Sequence, residues 1–142
     1  NATAALAPGS TGAVIVEPLL ASGELDALCR DVIRPFYEQR SRQAVEWLQE
    51  ACRNVPLRIH RPEGAFFLWL WFPGLPVTSH ELYRRLKARG VLVLSGHHFF
   101  PGLDEAWPHR DECMRIHCAQ APETMRAGIA LIAEEVRRAY GS

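Results

Sequence analysis

Residues 66–72 read Phe-Phe-Leu-Trp-Leu-Trp-Phe, an unbroken run of large apolar side chains between Gly64 on one side and Pro73-Gly74 on the other. Seven residues suit a strand better than a helix, and bulky aromatics fit a pleated surface. The run has no polar alternation, so both its faces should be covered, which places it inside a sheet. The rest of the 142-residue chain must supply its neighbours and its lids.

A chain of this size makes one domain and buries about two-thirds of its unfolded surface. The formal net charge is zero and the pI about 7.2. Neither gives an electrostatic reason to bind nucleic acid or an anionic membrane, and no partner of either kind is expected. No apolar run reaches the roughly 20 residues of a membrane span. Cys29, Cys52, Cys113 and Cys118 show no Cys-x-x-Cys spacing. They read as reduced, mostly core residues, and the expected location is the cytoplasm.

Residues 1–22 are rich in Ala, Gly and Pro, with an apolar patch at 13–16 and a breaker at Pro18. Such a segment packs poorly alone and is expected to belong with a missing domain, leaving 23–142 as the folded unit. From Glu24 a helical stripe begins at Leu25, Leu28, Cys29, Val32, Ile33 and Phe36, and continues through Ala44, Val45, Leu48 and Cys52. Pro35 cannot donate to the carbonyl of Asp31, so this long helix should be kinked there.

Residues 57–61 alternate as a short strand. Thr78-Ser-His-Glu81 has the form of a capping box opening a helix over 78–89, which Gly90 terminates. Residues 91–94 form a buried strand, giving a β-α-β unit with the 66–72 run. Residues 96–112 read as a long loop holding His97, His98, Phe99, Phe100, Trp107 and His109, of a length that is usually functional. Residues 114–118 alternate, with Met114, Ile116 and Cys118 on one face and Arg115 and His117 on the other. Pro122 starts a last helix over 122–139. The expected fold is α+β, a two-layer sandwich in which helices cover a small three- to four-stranded mixed sheet, preceded by the long kinked helix.

Arg115 is the side chain that most invites a chemical role. Its planar fork matches a carboxylate. The plainer alternative is a sheet-surface arginine paired with a carboxylate such as Glu63. His97, His98, His109, Cys113, His117 and Cys118 raise the question of zinc. However, His117 and Cys118 are adjacent on a strand and point to opposite faces, so no metal site is expected. Arg84, Arg85 and Arg89 read as a solvated helix face.

The motifs Pro-Glu-Gly-Ala-Phe-Phe-Leu-Trp (62–69), Arg-Leu-Lys-Ala-Arg-Gly-Val-Leu-Val (85–93), Gly-His-His-Phe-Phe-Pro-Gly-Leu (96–103) and Met-Arg-Ile (114–116) carry a resemblance that covers nearly the whole chain from Leu6 onward. In this order they resemble the C-terminal, small domain of class I/II, fold-type I pyridoxal-phosphate aminotransferases.

The resemblance implies a division of labour. A large domain binds pyridoxal 5'-phosphate and supplies the lysine that holds it. The small domain supplies the arginine for the substrate's α-carboxylate, and Arg115 falls at that position. Phe66 matches a cleft-lining aromatic. Small amino acids and 2-keto acids are the implied substrates, and the large domain and a second copy the implied partners. No catalytic or cofactor-binding residue is carried over. Lys87, the only lysine, sits on a polar-faced helix rather than in the family's cofactor motif, so the fragment is expected to bind no cofactor and to be inactive alone. The competing reading is a self-contained, non-catalytic ligand-binding or interaction module.

Overall fold

The computed structural model describes residues 10–141. Residues 1–9 of the opening segment lie outside the described residues. The rest of that segment folds as helix α1 (Thr11–Ala21), which runs through Pro18 instead of breaking there. The proline lacks only the N–H that would reach Val14. Its own carbonyl still accepts from the Ser22 N–H at 3.0 Å. After Gly23 come α2 (Glu24–Leu28), a π turn (Cys29–Ile33) and α3 (Arg34–Ala51). Just before Pro35, where a kink was expected, the helix widens: the Arg34 N–H reaches back five residues to the carbonyl of Cys29.

Packing divides the chain after Phe36. Among the described residues up to that point none is buried, and Val14, Ile15, Leu20, Leu28 and Val32 are exposed.

From Tyr37 on, the elements build one core. The strands are β1 (Arg58–Ile59), β2 (Phe67–Trp71), β3 (Leu94–Ser95) and β4 (Cys113–His117), in the order β1-β2-β4-β3. Every hydrogen-bonded pair is antiparallel, whereas a mixed sheet was expected. The reason is that β4 inserts between β2 and β3, so the two strands that run parallel are never neighbours. Helix α4 (Ser79–Ala88) joins β2 to β3, and α6 (Pro122–Tyr140) follows β4.

One sheet face carries the core. Leu68, Leu70 and Phe72 with Met114, Ile116 and Cys118 pack against Ala44 and Leu48 of α3, Leu82 and Leu86 of α4, and Ile129, Ile132 and Val136 of α6. At about 1.5–3 kcal/mol per buried side chain, this layer supplies most of the stabilisation. The expectation that both faces of 66–72 are covered holds only for this one. On the other face Phe67 is 38% exposed, and Trp69 and Trp71 are half-buried under aromatic side chains.

Local hydrogen bonds moved several expected boundaries. At the end of α4, the Gly90 N–H reaches Lys87 O and the Val91 N–H reaches Leu86 O, with Gly90 at a φ of 80° that favours glycine. That closure takes residues 91–93 out of the ladder, and pairing begins only at Leu94, opposite Arg115. The capping box forms by half. Thr78 Oγ1 accepts from the Glu81 N–H at 3.2 Å. The Glu81 carboxylate instead takes Arg85 at 3.0 Å and Arg84 at 3.4 Å, which hold it below its usual pKa range. Arg89 is no solvated arginine. It clamps α4 to α6 through Glu134 (2.6 Å) and the buried Glu135 (2.8 Å).

The segment 96–112 is not one long loop. It contains a 3-10 turn (Gly96–Phe99) and α5 (Pro108–Glu112), which Pro108 opens at the first helical position.

Candidate functional site

Arg115 lies at the centre of the second sheet face. On β4 it is opposite Trp69 of β2 and Leu94 of β3, and the strand's alternation anchors Met114 and Ile116 in the core on either side. Phe67, two residues from Trp69 on the same face of β2, is Arg115's diagonal neighbour and lies within reach of its long side chain. The guanidinium carbon sits 4.1 Å from the Phe67 ring centre and 4.8 Å from that of Phe99. Trp69 meets Phe99 edge-on at 5.1 Å.

Among the described residues, no acceptor lies within hydrogen-bond or ion-pair range of the Arg115 guanidinium. Glu63, its sequence-suggested surface partner, is exposed and forms no ion pair with it. The result is a half-buried cation whose faces lie against rings and whose N–H edges remain available. A bidentate carboxylate is the ligand that such a fork fits best.

Phe66 belongs to the same surface. It stacks on Phe67 at 4.4 Å and on Tyr37 at 5.3 Å, and is 36% exposed. The preceding Ala65 adopts a left-handed φ of 59°, a conformation non-glycine residues rarely hold. The structure thus brings Arg115 and Phe66 together through Phe67. It adds Phe99 and Trp69, which sequence reasoning had placed only as strand or loop aromatics. Phe99 comes to Arg115 from the β3 side of the sheet, a long-range pairing that no local pattern encodes.

The face continues past Arg115 as an aromatic layer. Phe100 approaches Trp69 at 6.1 Å and Trp107 at 5.1 Å, and His109 meets Trp71 at 4.9 Å. Trp71 donates through Nε1 to Glu112 at 2.7 Å. Cys113 lies beneath, its sulfur 3.5 Å from His109 Nε2, and burial pushes its thiol up to about 12. Burial likewise raises Cys52 and Cys118 to about 11. Thiols so hard to deprotonate are poor nucleophiles and poor metal ligands. Among the described residues, no group of three or more His, Cys, Asp or Glu side chains is placed to hold a metal ion. No helix among them is long and apolar enough to cross a membrane.

Sequence and fold comparisons bear on this arrangement. No family model matches the chain. Valine–pyruvate aminotransferase of Escherichia coli strain K12 is 45% identical over 140 residues, which are 99% of this chain and 34% of that protein. The crystal structure of valine–pyruvate aminotransferase from Salmonella typhimurium LT2 matches with a TM-score of 0.89 at 44% identity, over 100% of this chain and 37% of that one. That of a putative amino-acid aminotransferase from Psychrobacter arcticum 273-4 matches with a TM-score of 0.91 at 43% identity, over 99% and 32%. By sequence and fold, nearly the whole of this chain is similar to one part of these aminotransferases. It spans about a third of the length of these relatives.

The lysine of this chain does not fit the holding of pyridoxal phosphate, the cofactor that the resemblance implies. This one lysine, Lys87, is exposed in the last turn of α4, and its ammonium lies 5.9 Å from the Tyr83 ring centre. A lysine that holds the cofactor must instead reach into an enclosed pocket that favours its neutral form.

Proposed function

We propose that this domain is the substrate-carboxylate-binding part of a pyridoxal-phosphate-dependent amino-acid aminotransferase, of the valine–pyruvate type that its relatives represent. The observation that carries the reading is Arg115: a half-buried guanidinium held between aromatic rings, with its hydrogen-bonding edges open. Amino-acid and 2-keto-acid substrates share the carboxylate beside the reacting carbon. An arginine fork that binds it fixes the substrate's orientation whatever its side chain. Phe66 lines the same surface and limits its access to water. The cofactor and the lysine that holds it belong to the part of the parent enzyme outside this chain, to which residues 1–22 are also assigned. The parent is a cytoplasmic homodimer in this reading, and the exposed apolar side chains Val14, Ile15, Leu20 and Val32 are suited to a protein contact.

Arg115→Ala in the parent tests this. Losing one partner of a desolvated charge pair costs about 2–5 kcal/mol, so kcat/KM should fall roughly 30- to 4,000-fold. Arg115→Lys should recover only part, because the charge returns without the fork. Cofactor absorbance should be unchanged in both. Near-normal kcat/KM would show that the arginine is structural. Incubating the isolated domain with pyridoxal phosphate and then borohydride should leave Lys87 unlabelled on peptide mapping. Stoichiometric labelling that resists competition by free lysine would favour the alternative of a domain with its own ligand chemistry.

A further inference from the structure

The geometry points to Phe99 as a positioning residue that holds the Arg115 guanidinium in its binding orientation, assisted by Phe67. This rests on the reading of Arg115 as the carboxylate fork. A long arginine side chain has many rotamers. One way to fix it is to hydrogen-bond its edge, but each such bond removes a donor from the ligand. Ring faces fix the plane of the guanidinium while leaving its N–H groups available. Arg115 shows that second solution, with Phe67 at 4.1 Å, Phe99 at 4.8 Å and no competing acceptor among the described residues.

Phe67 rides on β2 and needs no further support. Phe99 ends the 3-10 turn (Gly96–Phe99), and that turn is fastened at three points. His97 Nδ1 lies 2.7 Å from Ser95 Oγ, which lies 2.7 Å from Ser79 Oγ at the start of α4, and both serines are buried. Gly96 packs so closely that a Cβ there would stand 2.6 Å from Cys113 O and 2.7 Å from Arg110 O. The Phe99 ring itself stands edge-on against Trp69, the residue directly opposite Arg115. The core of the domain therefore sets where this ring lies.

The test combines two readouts. In the isolated domain labelled with 15N-arginine, the Arg115 Nε–Hε resonance, assigned with Arg115→Lys, should be displaced by the ring currents. Phe99→Leu should move it toward the value of a free arginine, and Phe99→Tyr should retain it. In the parent enzyme, Phe99→Leu should raise KM for the amino acid about five- to thirty-fold with kcat within about two-fold, and Phe99→Tyr should restore it. Phe67→Leu, at an exposed and tolerant position, should give a similar KM effect if Phe99→Leu folds poorly. An unchanged Arg115 resonance in Phe99→Leu overturns the inference. So does an unchanged KM in both leucine variants while Arg115→Ala is severely impaired, and that result spares the carboxylate reading. If Arg115→Ala is itself near normal, both fail together.

Discussion

Among the described glycines, Gly96 alone has no room for a side chain. The two backbone oxygens that a Cβ would strike belong to α5 and to β4, and neither moves without disturbing the sheet. Gly96→Ala should therefore destabilise the fold by about 1–3 kcal/mol, read as a lower urea midpoint, and should broaden the Arg115 side-chain resonance by loosening the 3-10 turn. Glu112 makes a second kind of demand. Its carboxylate accepts from Trp71 Nε1 at 2.7 Å and from the Gly74 N–H at 3.0 Å. Glu112→Ala leaves the indole donor half-buried without its partner, a loss of about 1–3 kcal/mol, while Glu112→Gln should retain part of it. Arg115 was legible in the sequence because strand alternation and a family motif both single it out. The rings around it were not, since Phe99 lies 16 residues before it in the sequence and reaches it only through the packing of a whole sheet edge.

At the level of elements, the junction of α4, β3 and the 3-10 turn should respond to pH. The rings of His80 and His98 lie 5.2 and 3.9 Å from that of His97. Burial, then the neighbouring His98 and His80, push His97 below its ordinary value of 6.5, and Arg110 adds to this while Asp111 opposes it. The unfolded chain therefore takes up this proton first on acidification. Stability from this site is fully present above about pH 6.5 and is lost as pH falls through the folded-state value. Urea midpoints measured from pH 7.5 to 5 should decline more steeply for the wild type than for His97→Asn. Equal slopes would count against the account.

Helix ends show where sequence logic held and where it stopped. The Thr78 cap was readable, and Thr78→Ala should cost about 0.5–2 kcal/mol in thermal or urea unfolding. The return half of the box was not, because Arg84 and Arg85 on the same helix outcompete a backbone N–H for the Glu81 carboxylate. The apolar run at 66–72 was correctly read as a central strand, but composition alone could not show that one of its faces serves the core and the other carries aromatic rings around Arg115.

At the largest scale the two sheet faces differ: helices α3, α4 and α6 close one, and in the proposed function the other presents Arg115 for a carboxylate. The most direct measurement is the selectivity of the parent enzyme between L-valine and L-valinamide, which differ in that carboxylate. The wild type should strongly prefer L-valine by kcat/KM. In Arg115→Ala that preference should fall to near one, chiefly through loss of activity on L-valine with little change on the amide. A preference that survives the substitution would contradict the account, because some other group would then be reading the carboxylate.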